Sequence, residues 1–351
     1  GFGPVVEDNY QPAPPAQPED AEQPEGADQP ESAEEPKAAD RQESTEEPKA
    51  ADRQESADRQ AQPQQAAPAD AAPAAPAPAN GFCKNIITVI NNAATALKLT
   101  LKDVKIDVSD TGDEWYGVVG KAALSVQGKG NVEIELDGDN ELKSGFNRAG
   151  LEKNTSDSTG TLTLKDDNKE AGSLKATGGD SGAGIGGGAE GGGGNNITIK
   201  GGTVTATGGG NRGNGGAGIG GGSGGSGENI TINGGTVTAR GGEWAAGIGG
   251  GLNGVGKNIT INGGTVEANG YLFGAGIGGG HGGSGENITI TGGTVNADGG
   301  IGGGEQGNGK NITITGGTVT AKGGVGGAGI GGGKDGSGED ITITDGTVNA
   351  A

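Results

Sequence analysis

From residue 182 onward the apolar positions return in one short, fixed order. An isoleucine set among glycines (Gly216-Ala217-Gly218-Ile219-Gly220-Gly221-Gly222) is followed by an alternating segment, Asn229-Ile230-Thr231-Ile232. A second alternating segment follows, Gly234-Gly235-Thr236-Val237-Thr238-Ala239. The unit occurs six times, with leading isoleucines Ile185, Ile219, Ile248, Ile277, Ile301 and Ile330 separated by 34, 29, 29, 24 and 29 residues. A period in this range predicts a solenoid or an array of blades. The internal spacing decides between them. The leading Ile precedes the first Ile of the Asn-Ile-Thr-Ile segment by 11 residues in five copies and by 12 in the first, and that Ile precedes the Val by 7 in all six. All other variation lies between that Val and the next copy. Three short apolar beats, two fixed corners and one variable corner describe a three-sided coil. A propeller blade needs four antiparallel strands and hairpin turns, for which there is no signal.

Alternation fixes the facing. Each Ile-Thr-Ile puts its isoleucines inward and its threonine outward, and each Thr-Val-Thr-Ala puts Val and Ala inward. Parallel strands ~4.8 Å apart then line Ile199, Ile232, Ile261, Ile290, Ile314 and Ile343 into one buried column, and six coils extend about 29 Å. Glycine suits the corners, where positive φ and close backbone approach are required. The crossover rule predicts right-handed winding. The reading is therefore an all-β fold, a right-handed parallel β-helix, with six Gly-rich coils over residues 181–351.

Residues 81–180 are less regular but keep the period of two: Leu97, Leu99 and Leu101, then Val104, Ile106 and Val108, then Val132, Ile134 and Leu136. Thr161-Leu162-Thr163-Leu164 and Gly172-Ser173-Leu174-Lys175-Ala176 resemble degenerate coils. This stretch reads as an N-terminal cap and irregular first coils, because a solenoid end must shield unpaired strand edges. Residues 1–80 are different in kind. All 14 prolines fall here, whereas 80 of the 83 glycines follow. Eighteen carboxylates face five basic residues, and a twelve-residue unit (Glu31 to Gln42) repeats from Glu43 to Gln54 and, shortened, from Glu55 to Gln60. Such a segment cannot bury enough apolar surface to fold and extends by self-repulsion, so it is expected to be a disordered acidic spacer, either a stalk or a passive tail.

Composition narrows the function classes. The formal charge of −21 argues against nucleic acid, which needs clustered Lys and Arg. Glycine without a period of three excludes collagen. No apolar run approaches transmembrane length, so no membrane insertion is expected. The single cysteine, Cys83, excludes an internal disulfide framework. The chain begins with Gly and contains no Met, so the sequence reads as processed or partial. Its last strand ends at Ala351 without a cap, and a continuation or a covering partner is expected there.

Stacking turns each position into a column, so candidate chemistry is sought down columns. Asn196, Asn229, Asn258, Asn287, Asn311 and Asp340 form one, expected to be a structural ladder of amides bonding to each other and to the turn backbone. Before it run Asn195, Glu228, Lys257, Glu286, Lys310 and Glu339, whose alternating signs support register. Thr203, Thr236, Thr265, Thr294, Thr318 and Thr347 form an unbroken outward rank, but its partner rank is interrupted by Glu267, Asn296 and Asn349. Double threonine ranks resemble ice-binding surfaces. Trp244 and Phe273 occupy equivalent places in adjacent units, seven residues after their Val, with Tyr271 nearby. Either they offer a platform to sugar rings, or they pack on each other and shield the coil edge.

Catalytic signals are weak. The only histidine, His281, shares its column with Ala189, Ser223, Leu252, Glu305 and Lys334, so no nucleophile and base recur together. No column pairs carboxylates in adjacent coils as glycoside hydrolysis requires. Gly182 to Gly188 lacks the Gly-Lys-Ser/Thr ending of a phosphate loop. No metal set or cofactor is expected. A sporadic calcium at Asp137, Asp139 and Asn140 is conceivable, but ordinary turns use the same residues.

The string Gly-Ala-Gly-Ile-Gly-Gly-Gly with Asn-Ile-Thr-Ile and Gly-Gly-Thr-Val-Thr-Ala resembles a group of bacterial repeat-containing surface proteins, especially Gram-positive ones. The resemblance covers roughly residues 130–351. It implies a pectate-lyase-like β-helix and an extracellular or cell-surface location. It also implies a non-enzymatic adhesive role, with a polysaccharide or host glycan as partner. A polysaccharide lyase or glycoside hydrolase is the enzyme alternative, and ice binding is the third class.

Overall fold

The computed structural model describes residues 81–351 apart from Lys169, Glu190 and Asn211. The acidic spacer expected over 1–80 lies outside the described residues. Every strand pairing between named strands is parallel, and no α-helix occurs among the described residues. The chain winds as a parallel β-helix with three faces. The first face carries Ile-Gly pairs such as Ile219–Gly220, the second carries segments such as Gly227–Ile232, and the third carries segments such as Thr236–Glu243. Each coil visits the three faces in that order.

Register follows the sequence columns. On the second face Ile197 pairs with Ile230, Ile230 with Ile259, Ile259 with Ile288, Ile288 with Ile312 and Ile312 with Ile341. On the third face Val204, Val237, Val266, Val295, Val319 and Val348 stack likewise. On the first face Ile185, Ile219, Ile248, Ile277, Ile301 and Ile330 complete the triangle. Apart from the last coil these side chains are almost fully buried, so a narrow core of aliphatic columns runs the length of the winding. Dispersion and apolar burial repeated coil after coil replace a globular core.

Three further coils precede the six repeats. Their second-face strands are Leu97–Lys102, the start of Val132–Lys143, and Leu162–Lys165. Leu97, Val132 and Leu162 continue the isoleucine column downward. Val132–Lys143 does not break at the corner. It pairs with Leu97–Lys102 on the second face and with Lys105–Asp107 on the third, which joins both faces into one sheet. At its bend Asn140 points inward where later coils hold Leu174 and Val204. The amide is satisfied: Nδ2 donates to the carbonyls of Leu101, Asp137 and Ser173, and Oδ1 accepts from the backbone N–H of Val104.

The fixed corners depend on backbone that other residues disfavour. Gly220 has φ 135°, and a Cβ there would fall 2.0 Å from the carbonyl oxygen of Gly249 in the next coil. Each repeat's second-face segment also holds a left-handed residue just before its first Ile. Asn196, Asn229, Asn258, Asn287, Asn311 and Asp340 all have φ between 53° and 58°, and Asn adopts this region more readily than other side-chain-bearing residues. Their amides form a continuous chain. Asn229 Nδ2 donates to Asn196 Oδ1 at 3.0 Å, Asn258 to Asn229 at 3.0 Å, Asn287 to Asn258 at 2.9 Å and Asn311 to Asn287 at 2.7 Å. Asn196 Nδ2 donates to the carbonyl of Thr159. In the charged column beside it, Lys257 pairs with Glu286 and Lys310 with Glu339.

Candidate functional site

The first face is only two residues wide, so the corners on either side of it meet across it. The backbone shows this as a repeated bond. The residue four after a leading apolar position donates its N–H to the residue four before the preceding one. Ala189 donates to Asn147, Ser223 to Ser181, Leu252 to Gly215, His281 to Trp244 and Glu305 to Phe273, at 2.8–3.0 Å. The variable third-to-first corner is thereby laid over the column of Leu252, His281 and Glu305.

This geometry builds an aromatic cluster. Trp244 and Phe273 have ring centroids 6.1 Å apart, and His281 lies 5.3 Å from Trp244 and 5.9 Å from Phe273. Trp244 holds φ 66°, and its ring covers Gly213, where a Cβ would sit 2.9 Å from the indole. All three are half-buried. His281 Nδ1 is buried and finds no hydrogen-bond partner among the described residues. Tyr271, by contrast, is 54% exposed, as is its neighbour Leu272 in large part. Further along the same column, Lys334 pairs with Glu305 at 3.0 Å, and that hydrogen bond raises its pKa.

The exposed large apolar side chains divide into two sets. Ile86, Ile90, Leu97, Ile341 and Ile343 belong to the first and last coils described. Trp115, Tyr116, Val118, Val119, Tyr271, Leu272 and Val325 all lie on the third-to-first corner. Open grooves follow the same edge: one of about 530 Å³ beside Phe146 and Gly179, one of about 270 Å³ beside Glu243 and Tyr271, and one of about 380 Å³ beside Leu272 and Val325. Their floors are glycine because this corner stacks backbone on backbone. Cβ atoms at Gly179, Gly209 and Gly242 would fall 1.8–2.0 Å from a carbonyl oxygen of the coil below. Trp115 and Tyr116 stand outside the repeats, so spacing does not point to them. Their signal is two adjacent aromatics between turn residues Asp113 and Gly117.

Other polar groups are committed to structure. Glu133 pairs with Lys98, Glu135 with Lys165, and Glu141 with Lys143 and Lys175. Asp137 accepts from the amide of Asn168, and Asp139 accepts from Ser173 Oγ. With Asn140 turned inward, these residues do not converge, and no group of three His, Cys, Asp or Glu able to hold a metal occurs among the described residues. Glu152 is buried on the first face. Burial raises its pKa, while Arg148 and the N–H of Ala149 oppose that rise. Lys153 is wholly buried and pairs with no carboxylate among the described residues. Its Nζ donates to the carbonyls of Ser158 and Asn195, at 3.3 and 2.9 Å, and burial pushes its pKa down to about 8.

Four segments, residues 197–223, 230–252, 259–281 and 312–334, match a family model described as a beta helix repeat. Each begins at the first buried Ile of the second face and ends at the column of Ser223, Leu252, His281 and Lys334. No curated protein and no solved structure matches the chain.

Proposed function

We propose that this β-helix is a non-enzymatic, secreted or cell-surface protein that binds carbohydrate along its third-to-first edge. The observation carrying this reading is the segregation of exposed apolar side chains. Among the described residues, every large one outside the terminal coils lies on that edge, beside grooves with glycine floors. Exposed apolar patches on a rigid scaffold mark interaction sites, and aromatic rings suit the C–H faces of sugars while carbonyls and carboxylates take the hydroxyls. In this reading Tyr271 contacts ligand, and Trp244 and Phe273 hold the loop that presents it. A lyase or hydrolase needs an acid and a base free to face one ligand. The outward carboxylates of the second coil, Glu133, Glu135 and Glu141, are already held by lysines, which favours binding over cleavage.

A glycan array with the full chain, run beside depolymerisation assays on the same polysaccharides, tests the reading. Binding without cleavage is expected, weakened at least tenfold in a Tyr271→Ala, Leu272→Ala variant. Cleavage would favour the enzyme alternative, and no binding to any glycan would sink the carbohydrate reading.

Ice binding has one observation in its favour. Besides the third-face rank, the second face carries an unbroken outward column of Thr163, Thr198, Thr231, Thr260, Thr289, Thr313 and Thr342. Thermal hysteresis in the purified chain is its test.

A further inference from the structure

Resting on the carbohydrate reading above, we infer that the Trp115–Tyr116 hairpin and the groove at its base form a separate site for a polysaccharide bearing free amino groups. The hairpin is inserted at the third-to-first corner between the first two coils. Asp113 and Val118 exchange both backbone bonds, at 2.8 and 2.9 Å. Asp113 Oδ1 accepts from the N–H groups of Trp115 and Tyr116, at 2.8 and 3.3 Å, and Gly117 closes the turn with φ 63°. Arg212, two coils above the strand the hairpin leads into, donates to both carboxylate oxygens of Glu114 at 3.2 and 3.4 Å. The tip therefore has a fixed shape.

That fixed shape presents two rings that give almost nothing to the fold. Trp115 is 84% and Tyr116 83% exposed, although each aromatic side chain commonly buries ~150–250 Å². Val118 and Val119 extend the patch. Ordering a loop around uncovered rings costs conformational entropy with no packing return, and a ligand on the rings supplies that return.

The charges below the tip select among glycans. Gly112 and Glu114 wall the groove of about 530 Å³ together with Asp110, Lys143, Phe146 and Asp180. Its one basic group, Lys143, is held by Asp107 at 3.6 Å and Glu141 at 3.2 Å, and lies 4.3 Å from the Phe82 ring centroid. Asp110 pairs with Lys84 at 2.9 Å and Glu114 with Arg212, which leaves Asp180 as the groove carboxylate without an ion pair among the described residues, and residues 81–351 carry 27 carboxylates against 19 Lys and Arg. An anionic polymer is repelled by this field and a neutral one is indifferent to it. An ammonium group gains from Asp180 and from cation–π contact with the rings, while the sugar C–H faces stack.

Isothermal titration of the full chain with an oligomer of glucosamine, its N-acetylated counterpart, an oligogalacturonate and oligolysine tests the inference. The glucosamine oligomer should bind at least tenfold more tightly than the acetylated one, and the galacturonate least. Trp115→Ala with Tyr116→Ala should weaken that binding at least tenfold at an unchanged melting temperature. Asp180→Asn should narrow the preference for the free amine. Unchanged affinity in the double variant, or oligolysine binding as tightly as glucosamine, overturns the site. If neutral glycans bind through Tyr271 but the glucosamine oligomer does not bind, this inference alone fails. If no glycan binds, the reading of the preceding subsection fails with it.

Discussion

The backbone N–H of His281 donates to the carbonyl oxygen of Trp244 at 2.8 Å, although the two residues belong to different coils and to corners on opposite sides of the first face. This bond brings the only histidine against the tryptophan ring and closes the aromatic cluster with Phe273. The cluster acts as a brace for the edge that carries Tyr271. Trp244→Ala with Phe273→Ala should cost about 2–4 kcal/mol in denaturant unfolding, somewhat below the cost of truncating fully buried aromatics. His281→Ala should cost less, since the backbone bond persists.

The asparagine ladder separates hydrogen bonding from backbone strain. Asn258 donates to Asn229 and accepts from Asn287, and holds φ 53°. Asn258→Ala loses both bonds and keeps the disfavoured φ, for a cost of about 2–3 kcal/mol. Asn258→Gly loses the bonds but relieves the strain, so it should be the milder substitution. Equal losses in chemical denaturation would show that the left-handed backbone costs nothing here.

Glycine at the first-face corner should be intolerant. Gly249 has φ 130°, and a Cβ would fall 2.0 Å from the carbonyl oxygen of Gly278. Gly249→Ala should cost about 4 kcal/mol or more and prevent the next coil from seating. Gly324→Ala is the control, since its nearest neighbour would be the Leu272 carbonyl at 3.6 Å. Melting temperatures of the two variants should differ by roughly ten degrees.

Lys153 gives a pH signature. Its folded pKa of about 8 lies below the ordinary 10.5, so between those values the unfolded chain binds more protons and stability rises with pH. Below pH 8 the buried amine carries a constant penalty, about 3 kcal/mol at most. Relative to Lys153→Met, the wild type should therefore gain stability as pH rises from 8 to 10.5. A flat difference between the two curves would mean that the amine is not desolvated.

The winding was legible because its determinants are local and repeated. The constant spacing from Ile197 to Val204 and its five copies sets register, and a one-residue slip would turn every isoleucine outward. The earlier coils were harder to place, because Asn140 stands where the pattern asks for Leu or Val and because Val132–Lys143 rounds a corner that later coils break with Gly-Gly. The edge was half legible. Trp244 and Phe273 stand out by their equivalent positions, but their contact with His281 follows from how corners meet across a two-residue face, which no single column shows. Trp115 and Tyr116 belong to no repeat, and Lys153 looks like any surface lysine until Asn195 of the next coil closes over it.

The ladder of parallel strands also sets how the molecule answers to force. The ladder bonds of each coil reach only the one before and the one after, and they run along the long axis. Tension on the chain therefore strips an outermost turn while its neighbours stay loaded but intact. Each stripped turn of 24 to 34 residues frees roughly 80–120 Å of slack. The protein should yield as a ratchet, in a train of small ruptures, and dissipate the work of a pull step by step.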